Sequence, residues 1–448
     1  MWLLPLFSPM ARAAAHVYYR VRFAGEPVPG DGPVLLVANH PNSLLDPALV
    51  AAAAQRPTRF LAKAPLFSDP RIGWLIRASG SIPVYRRVDD PTQMNRNEDT
   101  FRAVHAALGE GAAVGIFPEG ISHSEPALVP LRTGAARIAL GAYEHTCRVF
   151  PIIPVGLVFR QKDTFRSEAL VFRGPPVPWE DLAARGPNDA DAVRDLTARI
   201  AEGLRAVTLN LERWEDRPLV DCAVRVWEAQ QGEPPEPAER VARLEVTTSI
   251  LAEVRRTGDP EGTRLARDVE AYHRRLQRLR LRPSDVVADV TFSRGIAWAV
   301  RRLHLLLPVG LVLAGVSAAL FWPPYRLTGI VVDRLQLEQD VRSTWKLLLG
   351  FVLYAVWVLL VAVSAGVIWG LGAFLVLLVG MPMVGMLGLL VRERWRHAWS
   401  DARRFFLLRS RQSLVAALRE RQQDLGRRLE ELLARHIAGE AAAVGHDS

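Results

Sequence analysis

The stretch "NHPNSLLDP" (39–47) sets a histidine, His40, six positions ahead of an aspartate, Asp46. A carboxylate on one imidazole nitrogen fixes the tautomer and raises the basicity of the other, which can then take a proton from an alcohol. The same residues admit a plainer reading. Ser43-x-x-Asp46 is close to a capping box, where Asp46 would only start a helix, and His40 would be a satisfied core histidine. Two further stretches add charge of the right kind. "GSIPVYRR" (80–87) reads as a strand ending in Arg86 and Arg87. Strand neighbours face opposite ways, so only one of the two can enter a given pocket. "GIFPEGISHS" (115–124) reads as a buried strand that breaks at Pro118 and delivers Glu119 and Gly120. A His–Asp pair, a phosphate-seeking arginine and a glutamate gathered at strand ends would form a polar pocket for a phosphorylated alcohol.

The elements that must hold these residues follow from hydrophobic periodicity. Residues 33–38 ("PVLLVA") form a continuous apolar run, as a buried strand does. That strand ends near Asn39 and leaves His40 at its carboxyl end, where open α/β sheets gather ligands. Pro41-Asn42 makes a turn, Ser43 is a helix N-cap, and a helix over 44–54 puts Asp46 in its first turn. Further apolar runs at 112–117, 149–158 and 169–172 alternate with helical patterns at 97–108 and 132–145. The expected fold is α/β, a sheet with helices on its faces, over residues 26–215.

The flanks are of other kinds. Residues 1–25, with Trp2, Leu3, Leu4, Leu6 and Phe7, then Tyr18, Tyr19, Arg20 and Arg22, read as an interfacial segment or as residues packed on the domain. They lack the basic n-region of a signal peptide. Residues 216–300, rich in Arg, Glu and Ala with "GEPPEP" (232–237) as a hinge, read as a helical connector. A transmembrane region spans 301–392. Residues 303–322 could cross a bilayer, and 347–391 could supply two helices of ~20 residues, 347–367 and 371–391, turning at "GVIWGLG". The first span stops at Pro323-Pro324, so a re-entrant segment plus a hairpin and three full crossings both stay open. Every span end is basic and the positive-inside rule gives no vote. Residues 393–448 read as a basic amphipathic C-terminal helix.

The net charge is +9, and only three of the 56 basic residues are lysine (Lys63, Lys162, Lys346). Such a balance suits nucleic acid, anionic headgroups or phosphorylated substrates. The apolar spans favour lipid, so no nucleic-acid partner is expected; Arg and Ala richness equally suits a GC-rich genome. Cys147 and Cys222 cannot build a disulfide framework or a zinc site unaided, and both are expected to be inert buried thiols.

The four blocks at 39–47, 80–87, 115–124 and 149–156, in this order and spacing, resemble the phospholipid/glycerol acyltransferase family over roughly residues 30–175. The resemblance implies a mixed sheet flanked by helices and acyl transfer from a thioester to a hydroxyl. By position, His40 resembles the family's general base and Asp46 its partner. Arg86 matches the arginine implicated in binding the acceptor phosphate, Glu119 and Gly120 match the acceptor-binding block, and Pro154 falls in the block thought to shape the acyl-donor side. Five residues separate His40 from Asp46 where four are commoner. The third block reads "EGIS" followed by His123 where E-G-T-R is usual. Both features are similar to the fungal glycerol-3-phosphate and dihydroxyacetone-phosphate acyltransferase branch. Arg132, in "PLRTGAARIAL", is the candidate for the cation lost at Ser122; a helix-start surface charge is the other reading.

The implied partners are a phosphorylated glycerol acceptor, an acyl-CoA or acyl carrier protein thioester as co-substrate, and membrane lipids, with no cofactor and no metal. The expected place is a bacterial cytoplasmic membrane with the domain facing the cytoplasm. Two other readings remain: a lysophospholipid such as lysophosphatidic acid as acceptor, and a non-catalytic membrane scaffold with the same fold. A serine hydrolase is disfavoured, because the chain has no G-x-S-x-G elbow.

Overall fold

A computed structural model describes residues 4–70, 72–86, 88–231, 236–287, 308–337 and 339–444. The chain divides into two compact units. The first comprises Met1–Trp214, Glu236–Thr248 and Glu338–Thr344.

Within the first unit, seven strands form one sheet. They are β1 (Arg20–Gly25), β2 (Val34–Ala38), β3 (Thr58–Lys63), β4 (Ile82–Val84), β5 (Ala113–Ile116), β6 (Ile152–Phe159) and β7 (Glu168–Arg173). Their spatial order is β1-β7-β6-β2-β5-β3-β4. Neighbours from β6 to β4 pair in parallel, β7 runs antiparallel to β6, and β1 is parallel to β7. The sheet is therefore mixed, as the resemblance implies. β2 lies at its centre and is buried at every position, which is why it is apolar at every position.

Helices α1 (Leu4–Tyr18), α2 (Leu45–Ala54), α3 (Pro65–Ser68), α4 (Gly73–Ala78), α5 (Asn97–Gly109), α6 (Gly134–Thr146) and α7 (Ala190–Val207) accompany the sheet. α7 shows how sequence sets such a helix. Asp189 caps it by accepting from the Asp191 and Ala192 amides, both at 3.0 Å. Val193, Leu196, Ile200, Leu204 and Val207 then recur on one buried face. The end of α7 lies so close to β6 that a Cβ on Gly156 would stand 1.8 Å from the Val207 carbonyl oxygen. Only glycine permits that approach.

Residues 20–25, expected within an interfacial segment, instead form the edge strand β1. Tyr18 and Tyr19 are buried rather than interfacial, at 3 % and 0 % exposure. The buried Arg173 ties this edge down by donating to the carbonyls of Ala24, Gly25 and Ala53, at 3.3, 2.9 and 3.1 Å. Residues 1–3 of the expected segment lie outside the described residues. Cys147 corrects a second expectation: it is exposed, at the left-handed C-cap of α6, whereas Cys222 is buried.

The second unit comprises Glu215–Pro235, Ser249–Leu337 and Trp345–Ser448 and is helical. Among the described residues, two helices are long and apolar enough to cross a membrane, over Val341–Trp369 and Leu371–Trp395. The chain turns between them at Gly370, φ +89°. The second of these helices runs unbroken to Ser410, so no break falls at the expected residue 393.

The earliest apolar span behaves differently from its sequence reading. Residues 288–307, including the start of the 303–322 segment, lie outside the described residues. The helix Pro308–Arg334 continues through Pro323-Pro324 instead of stopping there. Proline removes a helical N–H, which leaves the carbonyl four residues back without its partner. For Pro324 that carbonyl belongs to Leu320, and the indole N–H of Trp357 fills it at 2.9 Å.

Candidate active site

The loop after β2 brings His40 and Asp46 together. His40 Nδ1 lies 2.8 Å from Asp46 Oδ2. The Asn42 backbone N–H donates to the same oxygen at 2.6 Å. The aspartate has no exposed surface, whereas the His40 side chain keeps 19 %. Burial pushes the Asp46 carboxyl up, and the His40 bond, the Asn42 amide and the Lys162 charge pull against that rise. The imidazole stacks on Phe117, with centroids 4.1 Å apart and planes at 16°. One ring nitrogen is thus committed to a buried carboxylate on a ring held in a fixed plane.

Ser43 is not the helix cap that its sequence position suggests. It takes a left-handed φ of +50°, and α2 begins at Leu45 without a side-chain cap. Asp46 is engaged by His40 and Asn42, and the Ser43 amide donates to Ser122 Oγ at 3.1 Å. The loop after β5 therefore braces the loop after β2. The same loop supplies the His123 amide to the His40 carbonyl at 3.1 Å.

Glu119 sits at the join of these loops, 2 % exposed. Its Oε1 accepts from the His40 amide at 3.1 Å, and its Oε2 meets His123 Nε2. The Glu125 amide donates to His123 Nδ1 at 3.1 Å, so the His123 proton resides on Nε2 and points at Glu119. Burial pushes the Glu119 carboxyl up to about 8, with Asp46 adding to the rise. Both carboxyl oxygens are turned to the protein. The structure thus makes Glu119 a support under His40, with its side chain wholly covered.

Gly120 takes φ +76°, a turn that glycine allows without strain. Its carbonyl accepts from Arg86 Nη1 at 2.7 Å. Arg86 also grips Asp89 through Nε and Nη2, at 2.6 and 2.8 Å, and this holds Asp89 below the usual carboxylate range. Arg87, its alternative, lies outside the described residues. Arg132 comes beside the same turn: its amide donates to the Pro118 carbonyl at 2.7 Å, and its Cγ would lie 3.4 Å from a Cβ on Gly120. Its side chain is exposed and makes no hydrogen bond or ion pair among the described residues.

Pro154 lies in β6 opposite Val37, and its ring faces Gly174 and Gly203. It stands within the sheet rather than in the loop cluster around His40.

Sequence reasoning missed four residues that hold this site. Asn39 staples the end of β2 to β6, donating to and accepting from Leu157 at 3.1 and 2.7 Å. Asn42 and Tyr19 bond to each other at 2.6 Å. Lys162 donates to the Pro41 carbonyl at 3.0 Å and to Ser124 Oγ at 2.5 Å. Asn42 lies in the first block, where the sequence signalled only a turn. Tyr19 and Lys162 carry no local signal, because their partners lie far away in the chain.

Residues 20–158 match the family model described as Acyltransferase. Glycerol-3-phosphate O-acyltransferase 1 of Saccharomyces cerevisiae is 28% identical, over 58% of this chain and 37% of its own length. A 1-acyl-sn-glycerol-3-phosphate acyltransferase of Chlamydomonas reinhardtii is 33% identical, over 30% of this chain and 38% of its own. The match thus spans less than two-fifths of either relative. A crystal structure of the 1-acyl-sn-glycerophosphate acyltransferase of Thermotoga maritima aligns with 46% of this chain and 78% of its own at 20% identity, with a TM-score of only 0.32. By the family model and these relatives, residues 20–158 are similar to acyltransferases that carry glycerolipid names.

Proposed function

We propose that this protein is a membrane-bound O-acyltransferase that moves a fatty acyl group from a thioester donor to a hydroxyl of glycerol-3-phosphate or dihydroxyacetone phosphate. The observation that carries this reading is the 2.8 Å contact between His40 Nδ1 and the buried Asp46 carboxyl, at the carboxyl end of the central strand. The name of the yeast relative supports the acceptor.

His40 Nδ1–H donates to Asp46, which leaves Nε2 free to take the proton of the acceptor hydroxyl. The hydroxyl oxygen attacks the thioester carbonyl, a C–O bond forms, and the C–S bond breaks as the tetrahedral intermediate collapses. The proton on Nε2 passes to the departing thiolate. Asp46 stabilises the imidazolium in between. General base catalysis of this kind gives roughly 10²–10⁴-fold. Positioning of the two substrates supplies much of the rest.

Arg132 serves the acceptor phosphate, and Arg86 and Gly120 shape the wall beside it. Glu119 keeps the His40 backbone in place. The donor is acyl-CoA or an acyl carrier protein thioester, and the chemistry calls for no metal or other cofactor. Acyl thioesters are made in the cytoplasm, so the catalytic unit faces that side. The two spanning helices keep the insoluble product close to the bilayer.

The test is acyl transfer by membranes containing wild-type or His40→Ala protein, with labelled acyl-CoA and each acceptor in turn. Transfer to glycerol-3-phosphate that His40→Ala abolishes is the expected result. Transfer to lysophosphatidic acid alone would move the acceptor one step along glycerolipid assembly. No transfer to any acceptor would leave a scaffold.

A further inference from the structure

The polar atoms behind Asp46 continue away from the site as a buried chain. Asn42, without exposed surface, gives its backbone N–H to Asp46 Oδ2 and its side-chain amide to the Tyr19 hydroxyl, both at 2.6 Å. Tyr19, also without exposed surface, donates that hydroxyl to the Lys162 carbonyl. The same carbonyl accepts a second hydroxyl, from Ser343, at 2.5 Å. Ser343 is fully buried too.

Ser343 belongs to the helix Gln339–Trp369, whose stretch Val341–Trp369 is long and apolar enough to cross a membrane. Its first residues, through Thr344, form part of the catalytic unit. Residues 19, 42, 162 and 343 are far apart in the chain, yet they meet on one path that ends at the base. Buried polar groups that lose a partner cannot recover it from water, so such a path holds its members in one register. The Lys162 carbonyl has two lone pairs, and two hydroxyls occupy them.

We propose that Ser343 is a positioning residue for acyl transfer. The first turns of a spanning helix hold the Lys162 carbonyl and Tyr19 in the register that keeps the Asn42 amide on Asp46, and so keep His40 aimed. The role in turnover rests on the acyltransferase reading above; the structural relay does not.

The test uses full-length protein in lipid nanodiscs, comparing wild type with Ser343→Ala, Tyr19→Phe, the double variant and Ser343→Thr. Ser343→Ala is expected to lower kcat roughly three- to tenfold, the scale of one neutral hydrogen bond, with both KM values within about twofold. The acid limb of the kcat/KM profile shifts with it. The double variant falls no further than the worse single one, because both changes cut the same path. Ser343→Thr restores the hydroxyl and recovers most of the rate. An active wild type with Ser343→Ala unchanged in rate and pH profile would overturn the proposal, and so would multiplicative losses in the double variant.

A second readout is independent of turnover. In histidine-labelled protein, the Nδ1 proton resonance of His40 should move in Ser343→Ala and return in Ser343→Thr. If no acceptor is acylated, the acyltransferase reading fails alone and this resonance decides the relay: an unmoved signal overturns it.

Discussion

Replacing Asp46 by asparagine isolates the charge of the dyad from its shape. One oxygen, Oδ2, accepts from both His40 Nδ1 and the Asn42 backbone N–H. The backbone donor cannot turn away, so the new amide must keep its oxygen there and place its NH₂ where Oδ1 stands. Oδ1 is buried and has no hydrogen-bond partner among the described residues. Asp46→Asn therefore preserves the His40 tautomer, strands a buried NH₂ and deletes the negative charge. A stranded donor costs about 1–3 kcal/mol of stability. A unit charge about 4 Å from the imidazolium, at an effective dielectric near 20, is worth at most about 4 kcal/mol. The transition state carries only part of the imidazolium charge, so the loss falls at about 2–4 kcal/mol, or roughly 30- to 1,000-fold in kcat. KM for acceptor and donor should stay within about threefold, since neither touches Asp46. Steady-state transfer from labelled acyl-CoA, run well below the variant's melting temperature, measures both constants. A kcat within about threefold of wild type would show that the charge at position 46 does no catalytic work and would refute the mechanism.

Four other outcomes follow from the geometry. Arg132→Ala should raise the acceptor KM roughly tenfold or more and leave the acyl-donor KM alone, the scale of one charge-assisted hydrogen bond, measured by varying each substrate separately. Glu119 is held near 8, well above its unfolded value, so its protonated form belongs to the folded state; wild-type stability should fall between about pH 4.5 and 8, and Glu119→Gln should flatten that fall in thermal melts across pH. Gly156→Ala should cost about 1–3 kcal/mol or more by driving β6 off the Val207 carbonyl, seen as a lower melting temperature. Trp357→Phe removes the N–H that fills the Leu320 carbonyl and should cost roughly 1–2 kcal/mol in detergent unfolding, with acyl transfer at low temperature unaffected.

The parts that could be read in the sequence are those whose physics is local. β2, β5, β6 and β7 announce themselves as apolar runs because strands buried on both faces must be apolar throughout. β3 ("TRFLAK") and β1 ("RVRFAG") stay hidden, since each carries arginines and owes its place to long-range pairing with β5 or β7. The His40–Asp46 pair was visible as a spacing, and its contact is in the structure. The route to it was not visible: a cap was expected at Ser43, where the chain instead takes a left-handed step. Pro323-Pro324 reads as a stop because proline lacks an N–H, and only the distant Trp357 shows why the helix can continue. Tyr19, Lys162 and Ser343 illustrate the general limit. A residue that works through partners more than a hundred positions away leaves no period and no motif.

The pairing of β1 with β7 also bears on how this protein is made. Residues 20–25 leave the ribosome first and find their partner only when residues 168–173 have followed. At ordinary translation speeds that interval is on the order of ten seconds. Throughout it, an unpaired strand edge is open to any nascent neighbour. Arg20 and Arg22 put like charge on that waiting edge, so two unfinished copies repel each other where they would otherwise zip together.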